Sequence, residues 1–195
     1  MAFRDDMRLL ARLLVFLGAG AAVAAQAVGS VPRTIAAVAD ADATRASTNH
    51  LSLVASASAG LVAPGIRFSL TVAVTPKPGM HVYAPGATDY QPIALTIDPQ
   101  PGLRLHEVQY PKPEMLYFQP LDEHVPVYQK PFRLVQDVTL DASRQGPALV
   151  KGKASITITG KVSYQACDDR VCFIPATVPV SWTIKVRQAE RVKKR

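Results

Sequence analysis

The chain has 195 residues, 48% of them hydrophobic and 19% charged, with two cysteines and a formal net charge of +7. Two cysteines exclude a disulfide-dense scaffold and a four-cysteine zinc site. Residues 1–27 carry +1 and residues 187–195 carry +4, leaving +2 for the 159 residues between them, which excludes a strongly basic nucleic-acid-binding body.

The N-terminus reads as a secretory signal peptide. Arg4, Arg8 and Arg12 precede an apolar stretch from Leu13 to Ala25, and Ala25-Gln26-Ala27 is a small-x-small cleavage site, with Ala22-Val23-Ala24 a second one. An uncleaved membrane anchor is the alternative, although Gly18 and Gly20 weaken a short span. Export places the cysteines in an oxidising compartment. Residues 28–50, rich in Ala, Ser, Thr and Asp, are expected to form a disordered linker. One domain is expected over 51–187, followed by a solvated basic tail over 188–195.

Within the domain the apolar period is two. Ile66, Phe68, Leu70, Val72 and Val74 alternate with polar or small residues, as do Val178, Val180, Trp182, Ile184 and Val186. Pro179 puts the second of these strands at a sheet edge or an outward bulge. Ile156 and Ile158, then Val162, Tyr164 and Ala166, form another strand, with Gly160 marking a bulge. Shorter strands are expected at 51–58, 80–84, 93–97, 103–110 and 132–140. Turn signals such as Pro76-Lys77-Pro78-Gly79, Pro99-Gln100-Pro101-Gly102 and Gln145-Gly146-Pro147 separate them, leaving little room for helix. The fold class is therefore all-β, an immunoglobulin-like antiparallel β-sandwich. Tyr110 to Pro131 breaks this pattern. Its five prolines and four aromatics read as an irregular but ordered loop that covers something.

The cysteines lie in Tyr164-Gln165-Ala166-Cys167-Asp168-Asp169-Arg170-Val171-Cys172-Phe173-Ile174-Pro175, between two strand-like runs. This places them at the tip of a β-hairpin. As a structural staple the six-residue loop is worth about 2 kcal/mol on loop entropy. As a redox centre its polar tip would be reachable by a partner. Asp168 and Asp169 should raise the thiol pKa values and Arg170 should lower them, so the residues leave both uses open. His50, His81, His106 and His124 show no metal-ligand spacing, and no hydrolytic triad or carboxylate pair stands out. Neither metal nor cofactor is expected; in a redox role the sulfurs alone would carry both electrons.

The cysteine hairpin, together with Met80-His81-Val82-Tyr83 after Pro78-Gly79 and the segment Leu121–Leu140, resembles the N-terminal periplasmic domain of the thiol:disulfide interchange protein DsbD. The resemblance covers roughly 51–187. It implies an immunoglobulin-like sandwich in the periplasm that carries reducing equivalents, with Cys172 forming a mixed disulfide and Cys167 resolving it. It implies an aromatic cap, best matched by Tyr117 and Phe118, with Asp122 and Glu123 supplying acidic character and Tyr83 and Tyr164 lining the site. The implied partners are a thioredoxin-like electron donor domain or protein, periplasmic acceptors that contain disulfides (including proteins of cytochrome c biogenesis) and a membrane-embedded redox partner. Family members continue into a multi-span membrane domain and a thioredoxin-like domain, so a stand-alone version with a separate donor is expected. The rival of another class is a non-catalytic immunoglobulin-like binding module with a structural hairpin disulfide.

Overall fold

The computed structural model describes residues 44–118 and 122–187. The expected signal peptide, residues 28–43 of the expected linker and the expected basic tail lie outside the described residues. Thirteen strands and one short helix fill the described chain.

A first sheet has the order β1 (Thr44–Ser47), β2 (Leu51–Ala57), β4 (Arg67–Pro76), β10 (Phe132–Leu140), β7 (Leu103–Gln109). A second has the order β3 (Leu61–Val62), β13 (Ala176–Val186), β11 (Ser155–Tyr164), β6 (Ala94–Ile97). All pairings are antiparallel except β3 with β13. The alternation in the sequence sets which face is buried. Phe68, Leu70, Val72 and Val74 of β4 join Ile158, Val162, Trp182 and Ile184 of the second sheet in one core. This is the expected immunoglobulin-like sandwich. The Trp182 indole N–H reaches across the core to the Thr71 carbonyl at 3.4 Å.

A third sheet, β12 (Ala166–Cys167), β5 (His81–Tyr83), β9 (Glu123–Tyr128), β8 (Glu114–Phe118), is joined to the sandwich through the β11–β13 hairpin. It carries the cysteines.

Several local expectations are corrected. The linker does not run to residue 50: Thr44–Ser47 form β1, paired along β2. The strand is short and lies at a sheet edge, with no residue fully buried, so it leaves little periodic signal. The segment 110–131 is not mainly irregular, because β8 and β9 form a hairpin with Glu114 opposite Val127 and Phe118 opposite Glu123. Of its described prolines only Pro126 falls inside a strand, and its carbonyl still accepts the Ala84 N–H at 2.9 Å. Ile66, expected on the buried face of β4, is 48% exposed because the strand begins one residue later. Gln145–Val150 make a short helix rather than a turn, with Pro147 in its first turn, where the missing N–H costs nothing.

Pro179 does sit on an open edge, since β3 covers only Lys185 and Val186 of β13. Gly160 marks no bulge: the β11–β13 register runs unbroken from Ser155 opposite Lys185 to Tyr164 opposite Ala176. The glycine is needed for close approach instead. A Cβ there would lie 2.5 Å from the Thr96 carbonyl oxygen and 3.1 Å from the Ile97 Cα. Because backbone cannot swing aside as a side-chain end can, Gly160→Ala should destabilise the domain by about 3 kcal/mol, the upper range for overpacking. Urea unfolding of the two proteins measures this, and a loss under ~1 kcal/mol would show that β6 simply moves away.

Candidate functional site

The β11–β13 hairpin narrows beyond Tyr164 into a smaller hairpin. The Phe173 N–H bonds the Ala166 carbonyl at 2.9 Å, and the Asp168 N–H bonds the Val171 carbonyl at 3.0 Å. Cys167 and Cys172 face each other between these two bonds as a non-hydrogen-bonded pair, the position where opposed residues come closest. Their Cα atoms are 4.1 Å apart and the sulfurs are joined in a disulfide. Asp168 closes the turn: its carboxylate accepts the Arg170 and Val171 N–H groups, each at 2.8 Å. The bond from Val171 and then that from Arg170 hold the Asp168 carboxyl below the usual carboxylate range.

The two sulfurs differ in access. Cys167 is 1% exposed, whereas Cys172 lies on the exposed arm of the hairpin. On its other side Cys167 pairs with His81 of β5, so His81, Cys167 and Cys172 lie side by side across three neighbouring segments. Tyr83, two residues along β5 and on the same face, puts its hydroxyl 3.1 Å from the Cys167 sulfur and 3.3 Å from the Cys172 sulfur. Disulfide sulfurs carry no proton, so the Tyr83 O–H is the donor, shared between them. Burial raises the Tyr83 pKa; Tyr90 partly offsets this and the Glu123 charge adds to it.

Tyr83 stacks on Tyr90 with ring centroids 4.0 Å apart, and the Tyr90 hydroxyl donates to Glu123 at 2.6 Å. That bond, with burial behind it, pushes the Tyr90 pKa upward. Leu116 and Phe118 of β8 and Val125 of β9 complete an apolar cover. The pocket left around the sulfurs measures about 40 Å³, room for a water and not for a partner's side chain.

The expected site residues therefore divide. Cys167, Cys172, Tyr83 and Phe118 line one pocket, and Glu123 joins it through Tyr90. Tyr117 does not face the sulfurs: neighbours on a strand point to opposite faces, so with Phe118 inward Tyr117 is outward and 50% exposed. Its hydroxyl donates to Asp122 at 3.0 Å and its ring packs on His124, which leaves Asp122 outside the pocket as well. Tyr164 lies in the sandwich core below the hairpin, its hydroxyl 2.9 Å from the Thr48 hydroxyl. Nearby His50 stacks on Phe173 at 4.4 Å, bracing the hairpin from behind.

His81, Tyr90, Leu116 and Val125 are additional pocket residues. His81 and Leu116 stand two positions before Tyr83 and Phe118, so strand alternation alone could have found them. Tyr90 follows no period; it is held by the Gln91 N–H on the Gln165 side chain at 3.0 Å and the Gln165 N–H on the Gln91 carbonyl at 3.2 Å.

A hairpin disulfide with one exposed and one buried sulfur, bonded by a tyrosine and roofed by apolar side chains at the end of an immunoglobulin-like sandwich, defines a thiol-disulfide interchange domain. Residues 51–182 match the family model described as Thiol:disulfide interchange protein DsbD, N-terminal, and the chain belongs to that family. Among solved structures it is similar to the N-terminal periplasmic domain of ScsB from Proteus mirabilis. The two are 13% identical with a TM-score of 0.49, and the match covers 70% of this chain and 49% of that one, about half its length. No curated protein sequence matches. Among the described residues no helix is long and apolar enough to cross a membrane.

Proposed function

We propose that this chain works in the periplasm, taking reducing equivalents from a thioredoxin-like donor and passing them to disulfide-containing acceptor proteins. The carrying observation is the unequal access of the two sulfurs under one apolar cover. In the reduced state the Cys172 thiolate attacks an acceptor disulfide and forms a mixed disulfide, expelling one acceptor sulfur as thiolate. Cys167 then attacks the Cys172 sulfur, re-forming the intramolecular bond and releasing the second acceptor sulfur. Two electrons pass to the acceptor, and the donor dithiol restores the reduced state by the reverse exchange. Phe118 and Leu116 must swing away for either partner to reach the pair, which keeps the thiols from wasteful exchange.

The reduction potential tests this reading against a structural staple. Equilibration with glutathione or dithiothreitol buffers should place the Cys167–Cys172 couple above about −300 mV, among working carriers. A value well below that, with unfolding on reduction, would make the bond a staple.

A further inference from the structure

The resolving step has an unmet requirement. Cys167 must lose its proton to attack, yet it is 1% exposed and cannot hand that proton to bulk water. An acceptor must therefore come from the pocket, and its titratable and charged groups can be taken in turn. The Tyr83 phenol is held protonated by burial and already donates toward the sulfurs. Tyr90 donates to Glu123, which engages that carboxylate. The Asp168 carboxylate accepts two backbone N–H groups at the turn, and Arg170 is a cation with no acceptor site. Asp169 is exposed at the tip.

His81 remains. It is 7% exposed, lines the same pocket, and stands directly across the β5–β12 pair from Cys167, on the side away from Cys172. Side chains of directly opposed strand residues share a face with Cβ atoms about 5 Å apart. The ring lies edge-on to Tyr83 at 5.7 Å and makes no hydrogen bond among the described residues, so a lone pair is open. Burial lowers its pKa, keeping it neutral, while Asp169 and then Asp168 pull the other way and favour the imidazolium once a proton arrives.

We propose that His81 is the base that accepts the Cys167 proton during resolution, an inference that rests on the exchange reading above. The Cys167 proton passes to an imidazole nitrogen, directly or through a water, for which the pocket has room. The freed sulfur electron pair forms the bond to Cys172. The mixed disulfide breaks, and its electron pair leaves on the partner's sulfur. His81 later returns its proton to solvent or to the incoming donor's leaving sulfur. The arrangement gives the buried cysteine a base that the exposed one does not need.

Stopped-flow reaction of the reduced protein with 5,5′-dithiobis(2-nitrobenzoate) separates the steps. Attack by Cys172 releases one thionitrobenzoate, and resolution by Cys167 releases a second. In the unaltered protein the second phase should rise with pH only up to a break below 6.5, the ordinary histidine value, and then level off. In His81→Gln and His81→Phe the ratio of second-phase to first-phase rate at pH 7 should fall about 100-fold. The second phase should then climb about tenfold per pH unit through the neutral range with no such break. Circular dichroism identifies a variant that fails to fold, and the pH profile of the unaltered protein stands as a test without either variant. A levelled profile retained in a folded variant, or a second phase of the unaltered protein with no break below 6.5, overturns the role of His81 alone. A first release with no second release overturns the exchange reading, and this one with it.

Discussion

Replacing Cys167 with serine should leave Cys172 covalently joined to its partner in the native host, whereas replacing Cys172 should leave almost no adduct. The expectation follows from access. An attacking or attacked sulfur needs an in-line approach, and only Cys172 stands on the exposed arm of the hairpin. Cys167 lies beneath Tyr83 and beside His81, 1% exposed. With Cys167 absent, no thiol can displace the partner, so the mixed disulfide accumulates. With Cys172 absent, the remaining thiol is shielded and reacts slowly. Loss of the bond itself should not confuse the comparison. A six-residue loop contributes about 2 kcal/mol, while a domain of this size is held by its two-sheet core. Both variants should therefore remain folded. Non-reducing electrophoresis with mass spectrometry of trapped species reads the outcome. Adducts on Cys167 in preference to Cys172 would reverse the roles, and none on either would favour the binding-module reading.

The same contrast between one buried face and everything else explains how much was legible in the sequence. Strands β4, β11 and β13 each bury one face against the core, so Leu70, Ile158 and Trp182 recur with period two. The family motif around Cys167 and Cys172 then located the site. The cap hairpin was harder because β8 buries no residue completely, and its polar Glu114 and half-covered Leu116 give no strong alternation. Prolines suggest loop there, yet among the described ones only Pro126 falls inside a strand, where its carbonyl still accepts a bond from Ala84. The family resemblance implies that Tyr164 lines the site. The strand carries its ring into the core instead. Gly160 was read as a bulge since the contact that forbids a side chain, with Thr96, is 64 residues away in the chain. Tyr90 could not be found at all. Its place depends on the exchange of bonds between Gln91 and Gln165, which only the folded chain brings together.

Removing a single oxygen should change the chemistry of the site far more than its stability. In Tyr83→Phe the ring keeps its stack on Tyr90, with centroids 4.0 Å apart, and its burial among Val125, Val127 and Cys167. The lost hydroxyl makes neutral, shared bonds to two disulfide sulfurs, so the oxidised fold should lose only about 1 kcal/mol. Reduction changes the balance. A thiolate that forms at either sulfur meets a phenol already 3.1 and 3.3 Å from the pair and held protonated by burial and by the Glu123 charge. A hydrogen bond to a charged group is worth about 1.5–3 kcal/mol. Its loss should raise the thiolate pKa by roughly 1–2 units, at 1.36 kcal/mol per unit. Stabilising the thiolate favours the reduced state, so the variant should also become the stronger reductant. The shift is about 30 mV more negative for each 1.4 kcal/mol lost, at pH values where the thiolate is populated. Thiolate absorbance against pH gives the first quantity, and a glutathione titration gives the second. Should both stay at their unaltered values, the hydroxyl would be no more than a polar filler between the sulfurs, and the pocket's electrostatics would have to come from the hairpin turn, where Asp168 and Arg170 oppose each other. A shift in both, with unfolding free energy nearly constant, would instead identify Tyr83 as the group that sets how readily this disulfide accepts electrons.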